Sequence, residues 1–190
     1  ALNAGQVGYR SGPAMAASDR FRIVVKGRQT HGSRPWGGVD PIVAAANIVN
    51  TSQTIVSRRM DISKLPVVVS FGAIKGGIRF NIIPDSVEMM GTIRTFDAGV
   101  RDQIIERLRR TAENTAAASG ATAKLDILPH SNPVVINNPD LTRQMLPSLQ
   151  KAAGAGTVVE MPYVTGSEDY AHFALQAPSV FFFVGSTPRG

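Results

Sequence analysis

The sequence predicts an α+β domain of β-α-β-β-α-β order over residues 20–129, followed by a piece of a second, α/β-type unit. Three observations carry this. Four short runs rich in β-branched residues are separated by Gly- and Pro-containing turns. Two longer stretches between them repeat their apolar residues at helical spacing. After Pro129 the pattern changes and a strongly apolar run, VFFFV, appears near the end of the chain.

FRIVVKG, Phe21 to Gly27, is a strand closed by Gly. A loop dense in Gly and Pro follows. Asp40 and Pro41 then start a helix, because Asp accepts backbone N–H bonds as N-cap and Pro tolerates the first helical position. Ile42, Ala45, Val49, Ser52 and Val56 form a stripe, with Ile48 and Ile55 beside it, to about Arg58. PVVVSFGAIKGG, Pro66 to Gly77, is the second strand. Asn81 to Asp85 reads as a turn, and SVEMMGTIRTF, Ser86 to Phe96, as the third strand. Asp97 can cap a second helix with Val100, Ile104, Leu108 and Ala112 on one face, ending near Gly120. TAKLDIL, Thr122 to Leu128, alternates as a last strand.

This is the split-βαβ, ferredoxin-like plan. Right-handed crossovers place both helices on one face of the sheet, leaving the other solvated, shared or paired with a second copy. Beyond Pro129, Asn138 and Pro139 open a helix to about Ala153, GTVVEM is a short strand, and TGSEDYAHFALQ turns into a helix. VFFFV reads as a doubly buried central strand. One such strand with two helices closes no core, so the tail belongs to a larger sheet.

Hydrophobic residues make up 43% and charged residues 18%, too apolar a balance for disorder. No apolar run reaches the roughly 20 residues that span a bilayer, and no basic-then-apolar leader opens the chain, so no membrane partner is expected. The first residue is not Met, which suggests a processed or excised piece. With no Cys, disulfides, thiolate catalysis and Cys-based zinc sites are excluded, and a cytoplasmic protein is the plainer reading. The net charge of +6 favours anionic partners only weakly. The domain order is also that of RNA-binding sheets, but the inner strand SVEMMGTIRT lacks their stacking aromatics, so no nucleic acid is expected.

Four places carry candidate chemistry. His31, in the Gly-rich THGSRP loop, can donate to an oxyanion or shuttle a proton; on this stretch alone a loop His bonded to backbone is the plainer reading. Asn81 in a turn can hold a carbonyl oxygen, although such an Asn more often bonds its own backbone. Arg94 shares a strand face with Glu88, Met90 and Thr92, where it either grips a carboxylate or is solvated. Ser167, Glu168 and Asp169 suit a helix start. Glu168 and His172 lie one turn apart, but two ligands make no metal site, and no other metal spacing occurs. His130 and His172 read as structural or exposed.

GRQTHGSRPWGGVDPI, QTIVSRR, PVVVSFGAIKGG, NIIPDSVEMMGTIRT and TGSEDYAHF, in this order, span nearly the whole chain. Together they resemble the aminoacylase-type dinuclear zinc metallohydrolases: hippurate hydrolases, N-acyl-amino-acid amidohydrolases, auxin-conjugate hydrolases and related zinc carboxypeptidases. The GSED and THGSRP motifs are most similar to the hippurate and N-acyl-amino-acid branch. The resemblance implies that residues 20–129 are an inserted lid, or dimerisation domain. Residues 1–19 and 130–190 would be flanking parts of an incomplete zinc-peptidase-like catalytic domain.

It further implies hydrolysis of the amide bond of N-acyl amino acids or small peptides by a homodimer joined through the lid. Two divalent metal ions (zinc, with manganese or cobalt as alternatives) and a Glu base activate water. His31, often a partner-subunit residue in this family, would stabilise the tetrahedral oxyanion. Asn81 would lie near the carbonyl, and Arg94 would bind the substrate carboxylate. Gly166, Ser167 and Glu168 would lie beside the substrate pocket. The family's metal ligands and base fall outside this sequence, so the chain alone is expected to bind no metal pair and to be inactive. The alternative reading is a non-catalytic dimerisation module.

Overall fold

A computed structural model describes residues 2–188. In chain order its elements are β1 (Val7–Tyr9), β2 (Gly12–Met15), β3 (Ala17–Lys26), β4 (Thr30–His31), α1 (Pro41–Arg59), β5 (Val68–Gly76), β6 (Ile82–Ile83), β7 (Ser86–Thr95) and α2 (Ala98–Ala118). These are followed by β8 (Thr122–Ile127), β9 (Val135–Asn137), α3 (Pro139–Ala153), β10 (Val158–Glu160), α4 (Ala171–Ala174) and β11 (Phe183–Val184). They form two compact units. The larger holds Asp19–Arg94 and Ala98–Ser131; the smaller holds the chain up to Ser18, Thr95–Asp97 and the chain from Asn132 onward.

In the larger unit, Asp40 caps α1: its Oδ1 accepts the N–H of Ile42 at 2.8 Å and of Val43 at 3.3 Å, and Pro41 follows it. The buried stripe of α1 is Pro41, Ala44, Ala45, Ile48, Ser52 and Ile55. Of the stripe expected from the sequence, Ala45 and Ser52 are buried and Val49 and Val56 are partly buried against the same core; the correction is that Ile48 and Ile55, expected beside it, are fully buried and Ile42 is not. Ile42 is 47% exposed, while the helix turns its Ile48–Ile55 edge into the core it shares with α2 and the sheet. α2 buries Ile104, Ile105, Leu108, Ala112 and Ala116 and packs beside α1. Gly120 then takes φ +73, a left-handed conformation suited to Gly, and the chain enters β8.

The sheet order is β5-β7-β3-β8, the split-βαβ arrangement. β3 runs antiparallel to β8 with Phe21 opposite Ile127, and β5 antiparallel to β7 with Val68 opposite Arg94 and Gly76 opposite Val87. Strand alternation divides the faces. Phe21, Ile23, Val25, Val87, Met89 and Ile93 are buried in one core with both helices. Such side chains contribute roughly 1.5–3 kcal/mol each when fully buried. The opposite face is polar: Arg22 and Glu88 meet there across the sheet, Nε to Oε2 at 2.6 Å.

The smaller unit centres β1 between β10, parallel to it, and β11, antiparallel. β2 pairs with β9, and Met15, Val135 and Ala171 form its core. Buried Asn137 is fully used: its amide donates to Arg10 O at 2.7 Å and Phe181 O at 2.8 Å, and its carbonyl accepts Phe181 N–H at 2.6 Å. Asn138 Oδ1 caps α3 through Leu141 N–H at 2.9 Å. The Phe96 ring lies 4.8 Å from that of Tyr163. Ser18 and Asn132 exchange two backbone bonds, 2.9 and 3.2 Å.

The VFFFV run, expected in a larger sheet of which this chain holds a part, pairs with β1 through its last two residues. Phe181 and Phe183 pack on the core, while Phe182 and Val184 are 39% and 68% exposed among the described residues. Among the described residues no helix is long and apolar enough to cross a membrane.

Candidate active site

The loop carrying His31 leaves β3 at Gly27, whose N–H donates to Asp85 O at 2.8 Å. A Cβ at Gly27 would collide with the carbonyl oxygen of Val39, so the close approach there requires Gly. Arg28 and Val39 close the loop base with two 2.9 Å backbone bonds. At its far side, β4 pairs antiparallel with β6, Thr30 opposite Ile83 and His31 opposite Ile82. Gly32 N–H then donates to Asn81 O at 2.8 Å. The two loops are thus latched by backbone, and His31 and Asn81 become neighbours although 50 residues separate them in sequence.

His31 is exposed at the rim of a depression of about 390 Å³ that it lines with Gln29, Thr30 and Ile82. Its Nδ1 lies 2.7 Å from Ser33 Oγ and accepts the Ser33 N–H at 3.1 Å. Arg34 N–H donates to His31 O at 2.8 Å, so the backbone is held as a turn. Neither His31 Nε2 nor the Asn81 side-chain amide has a hydrogen-bond partner among the described residues. Ile78 and Phe80, beside Asn81, are almost wholly exposed.

Arg94 lies elsewhere. It sits near the C-terminal end of β7, while the Asn81 turn adjoins the N-terminal end of that strand. Eight residue steps from Ser86 at about 3.3 Å each put the two ends roughly 26 Å apart. Arg94 is half-buried on the polar face and makes no ion pair among the described residues. Of the three sequence candidates in this unit, the structure therefore joins His31 with Asn81 and keeps Arg94 apart.

Gly166, Ser167 and Glu168 belong to the smaller unit. Ala16 N–H donates to both Val164 O and Gly166 O at 3.0 Å, fixing the start of the segment against β2. The expected capping of a helix by these acids is corrected. α4 has four residues and Tyr170 as its N-cap, with no side-chain cap bond; Glu168 Oε1 instead accepts Asp169 N–H at 3.2 Å. Ser167 and Glu168 lie before the short helix, whose first bonds run from Ala171 N–H to Glu168 O at 3.3 Å and from His172 N–H to Asp169 O at 2.9 Å, backbone to backbone.

No group of three or more His, Asp or Glu suited to a metal ion occurs among the described residues. The described residues alone therefore do not fit a metal pair. His130 is exposed at φ +66, and His172 is exposed on α4.

Sequence reasoning sees Ser33 next to His31 but not their hydrogen bonds, and it misses the β4–β6 latch. Two-residue strands leave no period to read; the only available signal was the i, i+2 spacing of His31 and Ser33.

Residues 17–119 match the peptidase dimerisation domain of the M20 family. The chain belongs to the M20 peptidase family. It is 37% identical over 182 residues to thermostable carboxypeptidase 2 of Saccharolobus solfataricus, covering 96% of this chain and 45% of that protein. It is also 37% identical over 186 residues to N-acetylcysteine deacetylase of Bacillus subtilis, with coverages of 97% and 48%. A solved Bacillus subtilis structure, described as a dinuclear metal-binding M20 peptidase, superposes with TM-score 0.76 at 32% identity, covering 97% of this chain and 45% of that one. The chain spans about half the length of the curated relatives it matches. The α+β character and the β-α-β-β-α-β order read from the sequence are those of this M20 chain.

Proposed function

We propose that this chain is part of an M20 amidohydrolase that cleaves the amide bond of N-acyl amino acids or small peptides. Residues 20–129 would be its lid and residues 1–19 and 130–190 parts of its catalytic framework. The observation that carries the reading is the latched pair of loops presenting His31 Nε2 and the Asn81 amide, neither with a hydrogen-bond partner among the described residues, in a dimerisation domain. A neutral imidazole N–H and a side-chain amide are the donors an amide carbonyl needs as it becomes a tetrahedral oxyanion. The names of the relatives, a deacetylase of an N-acyl amino acid and a carboxypeptidase, agree with this substrate class.

Arg94 supplies the other half of substrate recognition, a guanidinium for the free carboxylate. The carboxylate and scissile amide of one amino-acid derivative lie far closer together than the roughly 26 Å between the two ends of β7. One copy of the domain therefore cannot place His31 and Arg94 on the same substrate molecule. In a homodimer joined through this domain, each copy serves two sites, lending His31 and Asn81 to one and Arg94 to the other. Gly166, Ser167 and Glu168 line the substrate pocket in the proposal. The divalent metal pair that activates water is held by residues outside this chain.

The test uses the full-length enzyme. Metal-dependent release of amino acids from N-acyl amino acids is expected, with His31→Ala lowering kcat by about 100- to 1,000-fold, as for loss of one oxyanion donor. An unchanged kcat removes His31 from the mechanism.

The alternative, a dimerisation module without catalysis, is favoured by one feature: β5 is a sheet edge paired on one side only. It is compatible with the first reading. Sedimentation of the chain checks it, a strict monomer at high concentration counting against dimerisation.

A further inference from the structure

We propose that Ser33 is the positioning residue of His31, holding its ring in the tautomer that carries the proton on Nε2. The inference rests on the reading of His31 as an oxyanion donor and adds the device that makes it one. A neutral imidazole has one nitrogen that donates and one that accepts, and the partner of one fixes the role of the other. The Ser33 backbone N–H, a group that can only donate, points at Nδ1 from 3.1 Å. Nδ1 is therefore the acceptor. The Ser33 hydroxyl, 2.7 Å from the same nitrogen, rotates its proton toward it as a second donor. The ring proton then belongs on Nε2, which no group among the described residues contacts by a hydrogen bond.

The turn that makes this possible is rigidly built. Gly32 N–H is tied to Asn81 O, Arg34 N–H to His31 O, and Thr30 Oγ1 donates to Arg34 O at 3.1 Å. Backbone bonds on both sides of Ser33 set its distance to the ring, so the tautomer is set by local chain geometry and needs no carboxylate. An opposite arrangement, Nδ1–H facing Ser33 N–H, would set two donors head to head and leave Nε2 an acceptor unable to stabilise negative charge.

Two readouts test this. In the 15N-histidine-labelled chain, at a pH where the imidazole is neutral, long-range 1H–15N correlations of His31, assigned by its loss in His31→Ala, are expected to show a pyridine-type Nδ1 and a pyrrole-type Nε2. In Ser33→Ala only the 3.1 Å backbone bond remains, and the Nδ1–H form is expected to appear beside it. In the full-length enzyme Ser33→Ala is expected to lower kcat by about three- to tenfold with KM unchanged, the worth of one neutral hydrogen bond, while Ser33→Thr retains wild-type kcat. A wild-type ring found as Nδ1–H, or a Ser33→Ala variant with unaltered tautomer and kcat, overturns the proposal. If the spectra agree but His31→Ala leaves kcat unchanged, the tautomer assignment stands and the oxyanion reading fails.

Discussion

Arg101 grips Asp19 with two parallel hydrogen bonds, Nε to Oδ2 and Nη2 to Oδ1, both 2.7 Å, and the Asp19 side chain is wholly buried. Asp19 is the first residue of the larger unit and Arg101 lies in the first turn of α2, so the pair ties the start of the domain to its second helix. Hydrogen bonding to Asp19 raises the Arg101 pKa from an already high value. A cation whose folded pKa is raised stabilises below its unfolded pKa and loses that contribution only as pH rises through the folded value. Arg101 therefore keeps its charge in the clamp across all ordinary pH.

Removing the cation alone strands a buried carboxylate. Arg101→Ala is expected to lower stability by about 3–5 kcal/mol, read as a fall in the urea midpoint. A change below about 1 kcal/mol would show that Asp19 finds another partner.

Gly91 lies opposite Phe71, where β5 carries a bulge, and a Cβ there would run into the Phe21 ring and Ser70 O. The edge-to-face pair of Phe21 and Phe71, centroids 5.1 Å apart, fills the space. Gly91→Ala should cost about 1–3 kcal/mol by overpacking, measured by thermal melting. Unaltered stability would mean that the aromatic pair yields freely.

Separation of His31 from Arg94 predicts complementation. His31→Ala and Arg94→Ala homodimers should each be nearly inactive. Mixed dimers formed by co-expression should regain activity, because one of their two sites receives an intact His31 from one copy and an intact Arg94 from the other. If both residues served one site from one copy, the mixture would stay as inactive as its parents.

Asp61 is exposed, and its carboxylate is held below the usual range, first by the Ser63 hydroxyl at 2.5 Å and then by Lys64 at 3.3 Å. A carboxylate with a depressed folded pKa stabilises above its unfolded value and loses that contribution as pH falls through the folded one. The turn after α1 should stay ordered through mildly acidic pH and loosen only below the ordinary carboxylate range. A 13C-carboxyl NMR titration of Asp61 checks this; a midpoint at or above the ordinary Asp value would contradict it.

Legibility in the sequence followed the length of the local signal. Asp40–Pro41 and Asn138–Pro139 announced helices because cap chemistry is written in adjacent residues. Val87, Met89 and Ile93 could be sorted from Glu88, Met90 and Thr92 because ten residues of alternation accumulate. The orientation of α1 was misjudged by part of a turn, since Ile42, Val49 and Val56 match a helical stripe as well as Ile48 and Ile55 do. β4 and β6 have two residues each, and their pairing is a tertiary event. Together with the bond from Gly32 N–H to Asn81 O, it brings His31 to Asn81.

The paired bonds between Ser18 and Asn132 have a consequence for how such a chain can be rebuilt. From the smaller unit, everything between those residues departs and returns through one two-stranded doorway, and lengthening a loop costs only about 0.6 kcal/mol per doubling. The intervening stretch would be an exchangeable cassette but for one stitch: Thr95–Asp97 comes back midway, and Phe96 seats against Tyr163. A replacement module needs more than matching ends. It must also carry, at its centre, an aromatic peg for that socket.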